Sequence, residues 1–149
     1  MRTRLLLAGL VLLAAAPARA QTAADSAAIR RTALDYLEGW YAADAGRMAR
    51  AVHPELVKRI VWTAPGDSLG QIETMGATEL LSQTRRGGGK EHPPERQRKE
   101  VRILDVFGDA ASVRVDAATW IDYMQMAKVD GRWQIVNVLW AERPESQPR

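Results

Sequence analysis

Several stretches of this chain carry residue types that could do chemistry. Gly66-Asp67-Ser68-Leu69-Gly70 spells G-x-S-x-G, the turn on which a hydrolase serine stands exposed between a strand and a helix. Such a serine also needs a histidine base and an oxyanion hole. The residues that follow, Gln71-Ile72-Glu73-Thr74-Met75, are too short and too β-like for the helix. Neither His53 nor His92 has an aspartate three residues before it, so the stretch reads as a hairpin loop. Gly87-Gly88-Gly89-Lys90 is no phosphate cradle either. A P-loop places Ser or Thr after its lysine, and Glu91 stands there. Two histidines with 38 residues between them, and no cysteine, offer no metal-ligand spacing.

Aromatic and polar residues suited to a pocket are more informative. Tyr36 and Trp40 lie one helical turn apart on an apolar face, and a buried phenol needs a hydrogen-bond partner. His53 has the side chain whose ordinary pKa suits proton transfer near neutrality, although before Pro54 an imidazole can simply satisfy nearby backbone. Trp62 ends a β-branched run. On a strand starting at Trp120, Asp122 shares a face with Met124, Met126 and Lys128, where its carboxylate could anchor a ligand or act as an acid.

The elements that must hold these residues follow from periodicity. Ile29, Ala33, Tyr36, Leu37 and Trp40 mark one face of a helix over 25–43, with Thr22 and Asp25 as a capping box. Asp44 caps a second short helix through Val52, which His53-Pro54 interrupts. Arg59–Trp62 and Gln71–Met75 form a hairpin around a turn-rich loop, and Thr78 caps a brief helix to Thr84. Residues 85–98, with three glycines, two prolines and many charges, read as a mobile connection. Residues 85–100 hold six basic and three acidic side chains, a local excess that could meet an anion.

The second half alternates at period two. Val101 and Ile103 face Ala111, Val113 and Val115 across Gly108-Asp109, and Trp120–Val129 faces Arg132–Trp140 across Asp130-Gly131, a dipeptide made for a type I′ turn. These four strands are expected to form an antiparallel meander. On the last strand, strict alternation puts Trp133, Ile135 and Leu139 on one face and Val136, Val138 and Trp140 on the other. A strand apolar on both faces needs a second cover, which points to a homodimer through the outer sheet face. Helices followed by a long antiparallel sheet make an α+β domain, and a twisted sheet curled around one long helix leaves a cone with an open end.

The chain has 149 residues, no cysteine, 26% charged and 46% hydrophobic residues, and a formal charge of +3. Those figures describe one ordinary domain and exclude a disulfide scaffold, a cysteine nucleophile and a chain too polar to fold. The opening Met-Arg-Thr-Arg, the apolar run Leu5–Ala16 and Ala18-Arg19-Ala20 have the form of a secretory signal peptide, with cleavage expected after Ala20. The run is too short to span a bilayer, so no membrane span is expected after cleavage. Losing Arg2, Arg4 and Arg19 takes the 21 basic side chains to 18, against 18 acidic. The exported form, periplasmic or secreted, is formally neutral, and no nucleic-acid partner is expected. The organisation is then residues 1–20 as signal, 21–141 as the domain and 142–149 as a flexible tail.

The ordered set ALDYLEGWYAADAGRMARAVHPELVKR (Ala33–Arg59), RRGGGK (Arg85–Lys90), ILDVFGDAASVRVDA (Ile103–Ala117) and DYMQMAKVDGRWQIVNVLW (Asp122–Trp140) resembles the "putative lumazine-binding" group. That group belongs to the nuclear transport factor 2-like superfamily, also described as SnoaL-like or as having a cystatin-like fold. The resemblance implies a cone-shaped fold, N-terminal helices packed on a curved antiparallel sheet, and a small-ligand pocket without a cofactor. It assigns no reaction, since the superfamily hosts isomerases, dehydratases, adaptors and binding proteins. Steroid-isomerase relatives carry a tyrosine donor at a place comparable to Tyr36, but Lys58–Trp62 lacks the acid that serves them as base. The leading expectation is noncatalytic binding of a small organic ligand by Tyr36, Trp40, His53, Trp62 and Asp122. The rival is an isomerase or dehydratase with His53 as base and Tyr36 or Asp122 as donor or acid. A third reading is a dimeric interaction module whose sheet face is functional.

Overall fold

A computed structural model describes residues 22–63 and 68–143. The expected signal sequence, the start of the turn-rich loop at 64–67 and the tail from 144 lie outside the described residues. Helix α1 runs Ala23–Ala42, capped by Thr22, whose hydroxyl accepts the Asp25 N–H at 3.0 Å. The Asp25 carboxylate accepts from Lys128 at 2.8 Å and from the Trp133 indole at 3.0 Å, tying the start of α1 to the far end of the sheet. Ile29, Ala33, Tyr36 and Leu37 are buried along one stripe, as the period implies. The helix stops at Ala43, whose φ of 58° is left-handed, and Asp44 caps α2 (Ala45–Ala51) by accepting the Arg47 N–H at 2.8 Å. Gly39 is where the two helices touch: a Cβ there would stand 2.9 Å from the Met48 nitrogen.

The six strands are β1 (Val52–Thr63), β2 (Gly70–Gly76), β3 (Glu100–Phe107), β4 (Ala110–Asp116), β5 (Trp120–Val129) and β6 (Arg132–Glu142). They lie in the order β2-β1-β6-β5-β4-β3. The four C-terminal strands form the expected antiparallel meander, turning at Gly108 and at Asp130-Gly131, where both residues of the latter pair take positive φ. β1 pairs antiparallel with β2 and parallel with β6. Helix α3 (Ala77–Arg85) follows β2 directly and packs back on β1. The helices lie on the inner face of the curved sheet, and the core fills the space between them. Among the described residues no helix is long and apolar enough to cross a membrane.

The fold departs from the period reading at four places. β1 extends well to either side of the short run Arg59–Trp62. Between Val52 and Val57 it advances five residues while β6 advances two, from Ile135 to Asn137, so the His53-Pro54-Glu55 stretch arches out of the ladder. β6 carries a bulge at Val136, because Gln125 pairs Asn137 while Met126 pairs Ile135. That extra residue reverses the alternation halfway along the strand. Trp133, Ile135 and Val138 are therefore all buried, Trp140 continues their face, and Leu139 turns outward with 48% of its surface exposed. Gly76 rather than Thr78 is the N-cap of α3, with no side-chain cap bond.

The fourth departure matters most for the site. Residues 86–92 are a tight series of turns rather than a loose connection, with Lys90 N–H donating to the Gly87 carbonyl at 3.0 Å and a 3-10 turn at Pro94–Arg96 beyond. Gly88 and Gly89 pack closely against Trp40: a Cβ on Gly89 would come within 2.3 Å of the Trp40 carbonyl oxygen and 2.5 Å of its indole. The glycines are needed for this close approach and not for flexibility. Gly89→Ala should therefore cost about 1–3 kcal/mol, the usual penalty for forcing atoms into a packed site. Urea unfolding checks this, and an unchanged midpoint would mean the turns do not seat on Trp40.

Candidate functional site

One cavity opens between α1, α3 and the inner face of the sheet, with a volume of about 190 Å³. Its residues arrive from every layer. Tyr36 and Trp40 project from successive turns of α1. Lys58 of β1 and Met75 of β2 are cross-strand partners, and Trp140 of β6 pairs with Asp122 of β5, which lies behind the lining. Trp120 stands two residues before Asp122, on the same face of β5. Leu80 and Gln83 of α3 close one side, and Glu91, His92, Thr119 and Glu142 form the mouth.

The closed end is a buried polar network. Lys58 Nζ donates to Asp122 Oδ1 and to Tyr36 Oη, each at 2.7 Å, and Trp120 Nε1 donates to Asp122 Oδ2 at 2.7 Å. The ammonium also sits 4.9 Å from the centre of the Trp140 ring and 5.4 Å from that of Tyr36, within cation–π range. Asp122 is fully buried and Lys58 is buried but for the edge facing the cavity. An isolated charge could not persist there, whereas a paired and hydrogen-bonded one can. Burial pulls the Lys58 ammonium below its ordinary pKa, and the Asp122 charge works against that pull. The Tyr36 phenol is driven well above its ordinary pKa, first by burial and then by the negative Asp122, so it stays protonated. Because its oxygen accepts from Lys58, its own hydrogen is left to donate.

The upper wall is aromatic. The His92 ring meets Tyr41 edge-on with centroids 6.0 Å apart and lies 5.4 Å from Trp120, which is 5.9 Å from Tyr41. Tyr41 Oη accepts from the Ala118 N–H at 2.9 Å and donates to the Arg98 carbonyl at 3.2 Å. Burial pushes this phenol up to about 12. Tyr41 is therefore committed to tying the Arg98 and Ala118 backbones to α1, with its ring against His92.

The structure sorts the candidate residues. Tyr36 and Trp40 line the cavity. Asp122 sits behind it with both oxygens occupied by Lys58 and Trp120, so its carboxylate is not open to a ligand. Trp62 stands at the far end of β1, 42% exposed and outside the lining. His53 also lies outside the lining: it rides on the β1 arch, where its Nδ1 accepts the Glu55 N–H at 3.2 Å. Lys58, Trp120, Trp140 and His92 are lining residues that sequence reasoning missed. A signal for Lys58 was present, since it stands between Leu56 and Ile60 on one face of a strand, where a lysine inside an apolar alternation calls for a partner. The helix after the serine of Gly66–Gly70 is missing, because β2 begins at Gly70.

Residues 24–141 match the family model described as "putative lumazine-binding". Among solved structures, an NTF2-like protein of unknown function from Shewanella baltica is 24% identical, with a TM-score of 0.64 over 83% of this chain and 98% of its own. An NTF2-like protein of unknown function from Methylobacillus flagellatus is 19% identical, with a TM-score of 0.63 over 83% and 96%. A protein of unknown function with a cystatin-like fold from Nostoc punctiforme is 16% identical, with a TM-score of 0.60 over 85% and 96%. At these identities the likeness shows the fold alone. No curated protein matches the chain.

The buried network makes a stability prediction. Lys58→Met strands a buried carboxylate and Asp122→Asn a buried ammonium, and each should cost about 3–5 kcal/mol. The double variant should cost clearly less than the sum, because neither charge is then unpaired. In Asp122→Asn the lysine's folded pKa falls further below its unfolded value of about 10.4. The unfolded chain then binds more protons across that window, so stability should rise as the pH is raised from 7 toward 10. Urea unfolding as a function of pH reads both effects, and additive single costs would mean that the two side chains are not coupled.

Proposed function

The chain belongs to the family described as putative lumazine-binding, within the NTF2-like, cystatin-like fold, and from that premise we propose that it binds a small planar organic ligand in its cavity. The observation that carries this reading is the division of the cavity into an apolar aromatic sleeve and a closed end with a polar donor. Trp40, Trp120 and Trp140 supply flat faces, and Tyr36 with Lys58 supplies hydrogen-bond donors. A few fixed polar groups inside an apolar cleft are what orient a small ligand. The volume suits one or two fused rings: an apolar cavity of about 150 Å³ already admits benzene. A heteroaromatic ring system with a carbonyl, of which lumazine is one, has the matching shape and chemistry.

Two further readings belong to the same proposal. The chain is exported, with cleavage after Ala20 leaving Gln21 first. It also pairs with a second copy through the outer face of the sheet, where Val61 opposes Ile72 and Tyr123 opposes Leu139, all four between 41% and 67% exposed. Covering such a patch removes apolar surface from water. These residues replace the two-faced strand as the basis for a dimer, since Trp140 points inward. The enzymatic reading with His53 as base loses its support, because that histidine lies away from the cavity.

A single experiment tests the set. Native mass spectrometry of the protein recovered from exporting cells should give a chain starting at Gln21, twice that mass as the main species, and a bound small molecule that Trp40→Ala releases. A protein that carries no ligand and shows no quenching of its tryptophan fluorescence on titration with lumazine would contradict the binding role.

A further inference from the structure

Charge is unevenly distributed around the cavity. Among the described residues, its charged lining side chains are Lys58 at the closed end and Glu91 and Glu142 at the mouth. Lys58 is already neutralised by Asp122 at 2.7 Å, so the closed end offers donors without net charge. The mouth carboxylates are exposed, and among the described residues no lysine or arginine lines the cavity beside them. His92 approaches Glu91 at 3.5 Å, a pairing that carries charge only when the imidazole is protonated.

An anionic ligand therefore meets repulsion twice. It passes two carboxylates on entry, and at the closed end it must compete with a fully buried aspartate for the same ammonium. A neutral carbonyl meets neither obstacle, since it can accept the free hydrogen of Tyr36 and leave the Lys58–Asp122 pair intact. At the opposite end of the ring a cationic amine would face Glu91 and Glu142. Resting on the cavity reading above, we propose that the site selects planar carbonyl compounds bearing a cationic nitrogen at the end remote from the carbonyl. Their carbonyl lies on Tyr36 and their nitrogen lies between Glu91 and Glu142, and carboxylates are rejected.

The test uses three probes that share one carbonyl end: 4-acetylbenzylamine, acetophenone and 4-acetylbenzoate. Binding is followed by calorimetry with the full exported protein at pH 8. The amine should bind about three- to fivefold more tightly than acetophenone, as expected for an attraction at an exposed site, with the benzoate weakest. That spread should shrink at high salt, because the mouth is open to screening. It should vanish in Glu91→Gln/Glu142→Gln. Tyr36→Phe, which keeps the ring, should weaken all three by about fivefold through loss of one hydrogen bond. Equal affinities, a preference for the benzoate, or a spread that survives the double substitution would overturn the charge selection while leaving the cavity reading in place. No binding of any probe would overturn both.

Discussion

The structure turns on one ion pair. Lys58 and Asp122 belong to β1 and β5, which are not neighbours but flank β6, and both side chains rise from the inner face of the sheet to meet over it. Two charges this deep are tolerable only if they find each other and if their remaining hydrogen-bonding capacity is used. Trp120 takes the second carboxylate oxygen and Tyr36 the second ammonium proton, so α1 is drawn into the same arrangement. A slip of one residue in either strand would send one charge to the outer face and strand the other. The pair thus couples strand register, helix placement and the polarity of the cavity floor.

The aromatic sleeve above this floor depends on two irregularities. The bulge at Val136 returns Trp140 to the inner face, where it lies beneath the Lys58 ammonium. The close seating of Gly88 and Gly89 on Trp40 fixes the turns that bring Glu91 and His92 to the mouth. Without the first the floor would lose one of its two cation–π partners, and without the second the mouth would have no defined charge.

Much of this was legible in the sequence. The stripe Ile29–Ala33–Tyr36–Leu37, the Thr22 and Asp44 caps and the Asp130-Gly131 turn are local signals, and each appears as read. The inner face of β5 followed from strict alternation because that strand runs unbroken from Trp120 to Asp122, Met124 and Met126. What could not be read was whatever depends on a distant partner. A bulge is set by how two strands share twist, so the inward turn of Trp140 is invisible in β6 alone. Lys58 drew no pocket role because its acid lies 64 positions away, and His53 and Trp62 looked like pocket residues because only the arch and the length of β1 carry them elsewhere. The glycine run suggested freedom because its cause, the close packing of Trp40, comes from another element.

The central claim is that Tyr36 and the Asp122-paired Lys58 present a donor end without net charge to a ligand held between tryptophans. A crystal structure of the protein soaked with 4-acetylbenzylamine tests it most directly. The account predicts the ring inside the sleeve with its carbonyl oxygen about 3 Å from Tyr36 Oη and the Lys58–Asp122 contact preserved. A ligand bound with its oxygen at the mouth, or a cavity filled by the protein's own side chains, would contradict it.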